Sequence, residues 1–197
     1  MNALFPRVKN MLIRPGREWQ AVRDEATTYN RILFRYVGIL AVIPPAAAVA
    51  GRMILDSPVP NGAIGSSLLS AALTNTLWYC MYVLNVVTAG VIVTAVIAGP
   101  GSRWDALRGF KIAAYSFTPL FIAGFVAVLP RMGWIIDAAI LYSVYLLYLG
   151  IRELASLGQG RAAWYALGSF LSAAVIVGAM NLLEYYLESF VVSKIVS

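Results

Sequence analysis

The chain has 197 residues, 60% of them hydrophobic and 12% charged, with a mean hydropathy of +0.76. Soluble domains carry about 25% charged residues, so half the usual charge is missing, and long apolar runs joined by short polar stretches predict one polytopic membrane bundle. A disordered chain, a collagen-like chain and a nucleic-acid-binding tail are excluded. Histidine is absent and Cys80 is the single cysteine. That removes Ser-His-Asp and Cys-His catalysis, histidine acid–base chemistry, the H-E-x-x-H zinc site and an intramolecular disulfide. No G-x-x-x-x-G-K-[ST] or G-x-G-x-x-G run offers a phosphate cradle. No catalytic residue, metal or cofactor is expected.

Residues 1–30 form the one markedly polar stretch, with Arg7, Lys9, Arg14, Arg17 and Arg23 spread through it. Neither an unbroken apolar core nor a small-residue cleavage site follows, so it does not read as a signal peptide. At helical spacing Leu4, Phe5, Val8, Met11 and Leu12 share one side, opposite Arg7, Asn10 and Arg14. Pro15-Gly16 breaks that helix, and a second short one starts after it, with Trp19 suited to an interface. Two readings stay open here: an amphipathic helix lying on an anionic leaflet, or a cap packed on the bundle. Arg7, Lys9, Arg14, Arg17 and Trp19 are the candidate lipid- or partner-binding residues.

Residues 31–197 are expected to be all-α, with five spans at about 32–55, 66–98, 110–129, 134–151 and 162–187. Pro44-Pro45 predicts a kink in the first span. Its Ala46/Ala50 and Ala47/Gly51 pairs, like Gly90, Thr94 and Ala98 in the second, have the small-residue spacing that lets helices approach closely. In the second span Asn75, Trp78, Tyr82 and Asn85 recur every three or four residues, so this face should look inward. Tyr115, Ser116, Thr118 and Pro119 interrupt the third span, where hydroxyls can satisfy carbonyls the proline ring frees. A tight turn, 130–133, makes spans three and four a hairpin, with Arg131 within reach of Asp137. Tyr142, Tyr145 and Tyr148 form an aromatic stripe on the fourth.

Only Arg52, Arg131 and Lys194 of the fifteen Lys and Arg residues fall on one side of this topology; the other twelve fall opposite. Positive charge stays on the cytoplasmic side during insertion, so the N-terminus is expected in the cytosol and, after five spans, the C-terminus outside. Counting acidic residues, the inner face is net +7 and the outer face −1. Anionic lipid headgroups or acidic proteins are the expected partners inside.

The start of the chain, with its basic amphipathic run, Pro15, Trp19 and Glu25, resembles the opening of bacterial members of the Yip family, named for interaction with Ypt/Rab GTPases. Ala114 to Pro119 is similar to that family's Tyr/Pro-containing segment, and Tyr148 to Leu154 with the small-residue connector after it also fits. The resemblance implies five spans, a cytosolic N-terminus and, because it is to bacterial members, a place in the plasma (inner) membrane of a bacterium. Eukaryotic relatives bind prenylated GTPases, but their long acidic region and Asp-Leu-Tyr-Gly-Pro motif are absent here, so GTPase binding is not implied. The preferred expectation is a non-enzymatic scaffold that organises lipids or partner proteins. The alternative is a small transporter or channel with a polar path along Asn75, Tyr82, Asn85, Tyr115, Ser116 and Tyr145; interhelical packing is the preferred account of those residues. An enzyme using Asp137 and Glu184 ranks last. The small-residue ridges also suggest a homo-oligomer or a membrane-protein partner; nucleic acid is not expected.

Overall fold

A computed structural model describes residues 4–55, 64–98, 105–128, 132 and 134–196, and these contain helices and no strand. Two ten-residue helices, α1 (Leu4–Ile13) and α2 (Pro15–Asp24), are separated by Arg14 alone. Pro15 opens α2 at a position where a missing N–H costs nothing and a φ near −65° is already helical. The expected break is therefore also a helix start.

The first span is built in pieces: α3 (Tyr29–Ile32), a π turn (Leu33–Val37), α4 (Gly38–Leu40), a turn at Ala41 and Val42, then α5 (Ile43–Leu55). The interruption falls just before Pro44 and Pro45, which occupy the first turn of α5. There their absent donors break no helical bond. The π turn has no proline to announce it, and the sequence carried no sign of it.

The second span lies in α6 (Ile64–Ala98), one unbroken helix of 35 residues. At 1.5 Å per residue it is about 50 Å long, well beyond a hydrocarbon core of about 30 Å. The third begins as α7 (Ala106–Ser116), capped by Asp105, whose carboxylate accepts from the Leu107 N–H at 2.9 Å. It breaks at Phe117, resumes as α8 (Thr118–Ala123) and closes in a 3-10 turn (Gly124–Val128). Pro119 cannot bond the Tyr115 carbonyl four residues back; Thr118 Oγ1 donates to it instead, at 2.6 Å. The hydroxyl compensation expected of this segment is thus made by Thr118. The last two helices are α9 (Trp134–Leu154) and α10 (Gln159–Val196).

Four helical stretches among the described residues are long and apolar enough to cross a membrane: Tyr29–Gly51, Asn75–Ala98, Ala106–Val126 and Trp134–Leu154. Five were expected; the fifth, 162–187, lies inside α10, which is not among the four. Pro130, Arg131 and Gly133 of the expected turn, and the loops 56–62 and 99–104, lie outside the described residues.

Close approach of backbones sets the packing. A Cβ on Gly109 of α7 would overlap the Thr94 side chain of α6, and one on Gly90 of α6 would sit 3.0 Å from the Phe110 ring. The ridge expected at Gly90 and Thr94 therefore faces the third span. Gly124 lies against Pro44, where a Cβ would stand 2.5 Å from the pyrrolidine ring and pins the third span to the first. The core runs between the spans through Val37, Val86, Val93, Phe110, Phe121 and Leu146, and continues under α1 and α2 through Met11, Trp19 and Val22.

Candidate functional site

The N-terminal helices dock on the bundle where the first and third spans begin and the fourth ends. Arg7 is only 4% exposed. Its Nε pairs with Glu18 at 3.1 Å, its Nη2 with Glu25 at 2.6 Å, and its guanidinium lies 5.3 Å from the centre of the Tyr115 ring. A buried cation needs such company, since removing a guanidinium from water without partners costs several kcal/mol, on the order of the Born penalty after relaxation. Asn10 Nδ2 donates to Glu18 at 2.9 Å and holds the carboxylate in place.

Trp19 is 1% exposed and its ring packs against Gly150 of α9, where a Cβ would come within 2.8 Å of it. It also meets the Tyr115 ring edge-on at 6.2 Å. Tyr115 in turn contacts Tyr36 of the first span edge-on at 4.8 Å. Because the single Thr118 proton goes to the Tyr115 carbonyl, Tyr36 must donate its own to Thr118 Oγ1, at 2.7 Å. One chain of contacts thus links α2, the third span and the first.

Two further side chains satisfy orphan carbonyls at the ends of the docked helices. Tyr142 donates to the Leu12 carbonyl at 2.9 Å near the end of α1. Lys111 Nζ donates to the carbonyls of Val22 and Glu25, at 3.0 and 2.8 Å, at the end of α2. A cation at a helix C-terminus also meets the negative end of its dipole. Arg23 reaches Glu153 at 2.6 Å and Asp24 at 3.0 Å; its hydrogen bond to Asp24, and the charges of Asp24 and Glu153, raise its pKa above the ordinary arginine value.

Helical periodicity put Arg7 on the polar side of α1 and Trp19 at an interface; both are instead enclosed. The acidic partners of Arg7 come from α2 and from Glu25 beyond it, which spacing within one helix does not reveal. Lys9, Arg14 and Arg17 are exposed and make no ion pair among the described residues. Sequence reasoning missed Lys111 and Tyr142 as anchors. A lysine buried one turn into an apolar span was the available signal for the first, and no signal pointed to the second.

The intramembrane polar residues are dispersed by comparison. Asn85 and Ser116 are buried, and Asn85 Oδ1 and Ser116 Oγ lack hydrogen-bond partners among the described residues. Asn75 and Tyr82 are half-buried, with the Tyr82 ring 6.4 Å from that of Phe121. Tyr115 belongs to the cluster under α2. Tyr145 is 47% exposed, beside Tyr142 at 5.8 Å.

Two cavities open at the docked end. The larger, about 410 Å³, is lined by Arg23, Glu25, Asp105, Arg108, Lys111 and Ser156 among others, so both signs of charge face it. The smaller, about 130 Å³, is bounded by Arg7, Arg31, Arg35 and Glu25, with Tyr36 and Tyr115 in its wall.

The model of the family described as the Yip1 domain matches residues 9–180. Inner membrane protein YohC of Escherichia coli strain K12 is 26% identical to the chain over 180 residues, 89% of each. YohC of E. coli O6:H1 aligns with the same identity and coverage. No solved structure matches. The matched region contains Trp19, Tyr36, Lys111, Tyr115, Thr118 and Tyr142.

Proposed function

We propose that this chain, which belongs to the Yip1 domain family, is a non-enzymatic scaffold of the bacterial inner membrane that organises anionic lipids or partner proteins at its cytosolic face. The inner-membrane location is supported by the name of the E. coli relatives and by the four apolar helices. Taking α10 as a fifth span leaves the basic ends of the first, third and fourth spans in the cytosol, the N-terminus with them and the C-terminus outside. The non-enzymatic reading rests on residue types. Histidine is absent, and the buried carboxylate Glu18 and its neighbour Glu25 are both engaged by Arg7.

The observation that carries this reading is a division among the basic residues. Arg7 and Lys111 are buried and spend their donors on the docking of α1 and α2. Lys9, Arg14 and Arg17 are left outside without a carboxylate partner among the described residues. Cations held on a rigid docked surface do not have to be ordered when a ligand arrives, and each is worth about 1 kcal/mol beside an anionic leaflet.

The test reconstitutes the full chain in vesicles of phosphatidylcholine alone or with phosphatidylglycerol and follows amide exchange across 4–24. Exchange should slow when the anionic lipid is present, and K9Q/R14Q/R17Q should remove the difference. Equal protection in both vesicles counts against the lipid arm of the reading, and photocrosslinking from position 17 in native membranes then reports whether a protein occupies that surface.

A further inference from the structure

We propose that the smaller cavity, at the mouth of the first span, seats the phosphate group of an anionic phospholipid; this deepens the scaffold reading above and rests on it. Three guanidinium groups and one carboxylate bound the space: Arg7, Arg31 and Arg35 against Glu25. Arg31 and Arg35 are exposed and make no ion pair among the described residues. Arg7 is buried, with Nε and Nη2 taken by Glu18 and Glu25. The unmatched cations at the cavity are therefore Arg31 and Arg35, and an oxygen-rich anion is a partner of the right chemistry for both.

Size and surroundings narrow the ligand. About 130 Å³ leaves room for a phosphate and its four oxygens. The Glu25 carboxylate is already matched by Arg7 at 2.6 Å, so an ethanolamine or choline ammonium finds no free counter-charge, and a headgroup of net negative charge is favoured. Free phosphate shares this chemistry, but the surface next to the cavity favours a lipid. Exposed apolar residues of the first span stand between and beyond Arg31 and Arg35: Phe34 is 69% exposed, Ile39 52% and Val42 49%. Basic residues followed within two turns by exposed apolar ones match a phospholipid's own sequence of phosphate and acyl chain.

The experiment uses the full chain in detergent with native mass spectrometry, and phosphatidylglycerol, phosphatidylcholine and inorganic phosphate as the three probes. Wild type should retain phosphatidylglycerol in preference to phosphatidylcholine. R31Q/R35Q, altering two exposed side chains without an ion pair among the described residues, should lower that retention by roughly 30-fold, the effect of two charges at a lipid surface. K9Q/R14Q/R17Q disables the surface of the broader reading, and R31Q/R35Q added to that variant should cause the same further fold-loss as in wild type. That further loss supports the site even if the vesicle experiment fails. Retention indifferent to R31Q/R35Q overturns the proposal, and so does inorganic phosphate that displaces the lipid at matched concentration.

Discussion

The seam between α6 and α7 and the junction that holds α1 and α2 on the bundle are both close-packed, yet opposite chemistries make them. At the seam, glycines at 90 and 109 let a phenylalanine and a threonine of the facing helix approach the backbone, with no charge involved. At the junction the buried Met11 and Val22 are joined by polar and aromatic side chains that each meet a particular partner: Arg7 its two carboxylates, Lys111 two carbonyls, Tyr142 another, Trp19 a glycine. Between apolar helices in lipid there is no hydrophobic gain from association, so shape and van der Waals contact decide. Where the bundle meets water, burying an amphipathic segment also requires that its charges and helix-end carbonyls be answered, and specificity comes from those answers. The junction should consequently be the more sensitive of the two to loss of a single polar atom, and the seam to addition of a carbon.

The largest effect expected is at Arg7. Arg7→Ala leaves Glu18 buried without its cation and should weaken docking of α1 and α2 by about 3 kcal/mol, within the usual cost of breaking a buried ion pair. Amide exchange over 4–24 should accelerate while exchange in α9 holds. A double-mutant cycle with Glu18→Gln isolates the pair. Additive losses would show that the two side chains are not coupled and that the junction rests on Trp19 and the apolar residues alone.

Gly109→Ala tests the seam. Its methyl would collide with Thr94, and overpacking of this kind costs about 1–3 kcal/mol. The melting temperature in detergent should fall while α1 and α2 keep their exchange protection. Thr94→Ala removes the hydroxyl in the way and should recover part of the loss; no recovery would mean that the Cβ and backbone nitrogen of residue 94, both 3.0 Å away, set the limit.

These two regions were legible to different degrees. Gly90 and Thr94 stand on one helix at small-residue spacing, so a close-contact ridge can be read without knowing its partner, and the structure supplies the third span. Thr118 beside Pro119 is equally local: the freed carbonyl lies four residues back and the hydroxyl one. The junction is not local. Lys111 and Val22 are 89 residues apart, Tyr142 and Leu12 130, and neither helix-end carbonyl leaves any mark on residue type. Arg7 misleads for a related reason, because burial of a charge is decided by whether carboxylates arrive from elsewhere, and amphipathic periodicity counts every arginine as outward-facing.

Tyr142→Phe gives a smaller and cleaner probe of the junction. It deletes one hydroxyl and leaves the ring packed, so the Leu12 carbonyl, near the end of α1, loses its donor at 2.9 Å. A loss of about 1 kcal/mol is expected, appearing as faster exchange confined to the last turn of α1. An effect reaching α2 would show that the two helices undock as one unit.

The smallest expected effect lies where α9 leaves the junction. Ser156 has φ of 52°, the left-handed region that favours glycine, just beyond the last turn of α9. Its Cβ strains that conformation, and glycine would relieve it at some cost in unfolded-chain entropy. The balance for Ser156→Gly should be a gain of a few tenths of a kcal/mol, read as a small rise in melting temperature. Because Ser156 lines the larger cavity beside Arg23 and Lys111, the same variant asks whether the end of α9 is held by its own backbone or by the junction. A gain that survives Arg23→Gln, which cuts the tie from α2 to Glu153, assigns the turn to α9 itself. A gain that disappears with that tie would mean that α2 imposes the left-handed turn, extending the junction's reach past the fourth span.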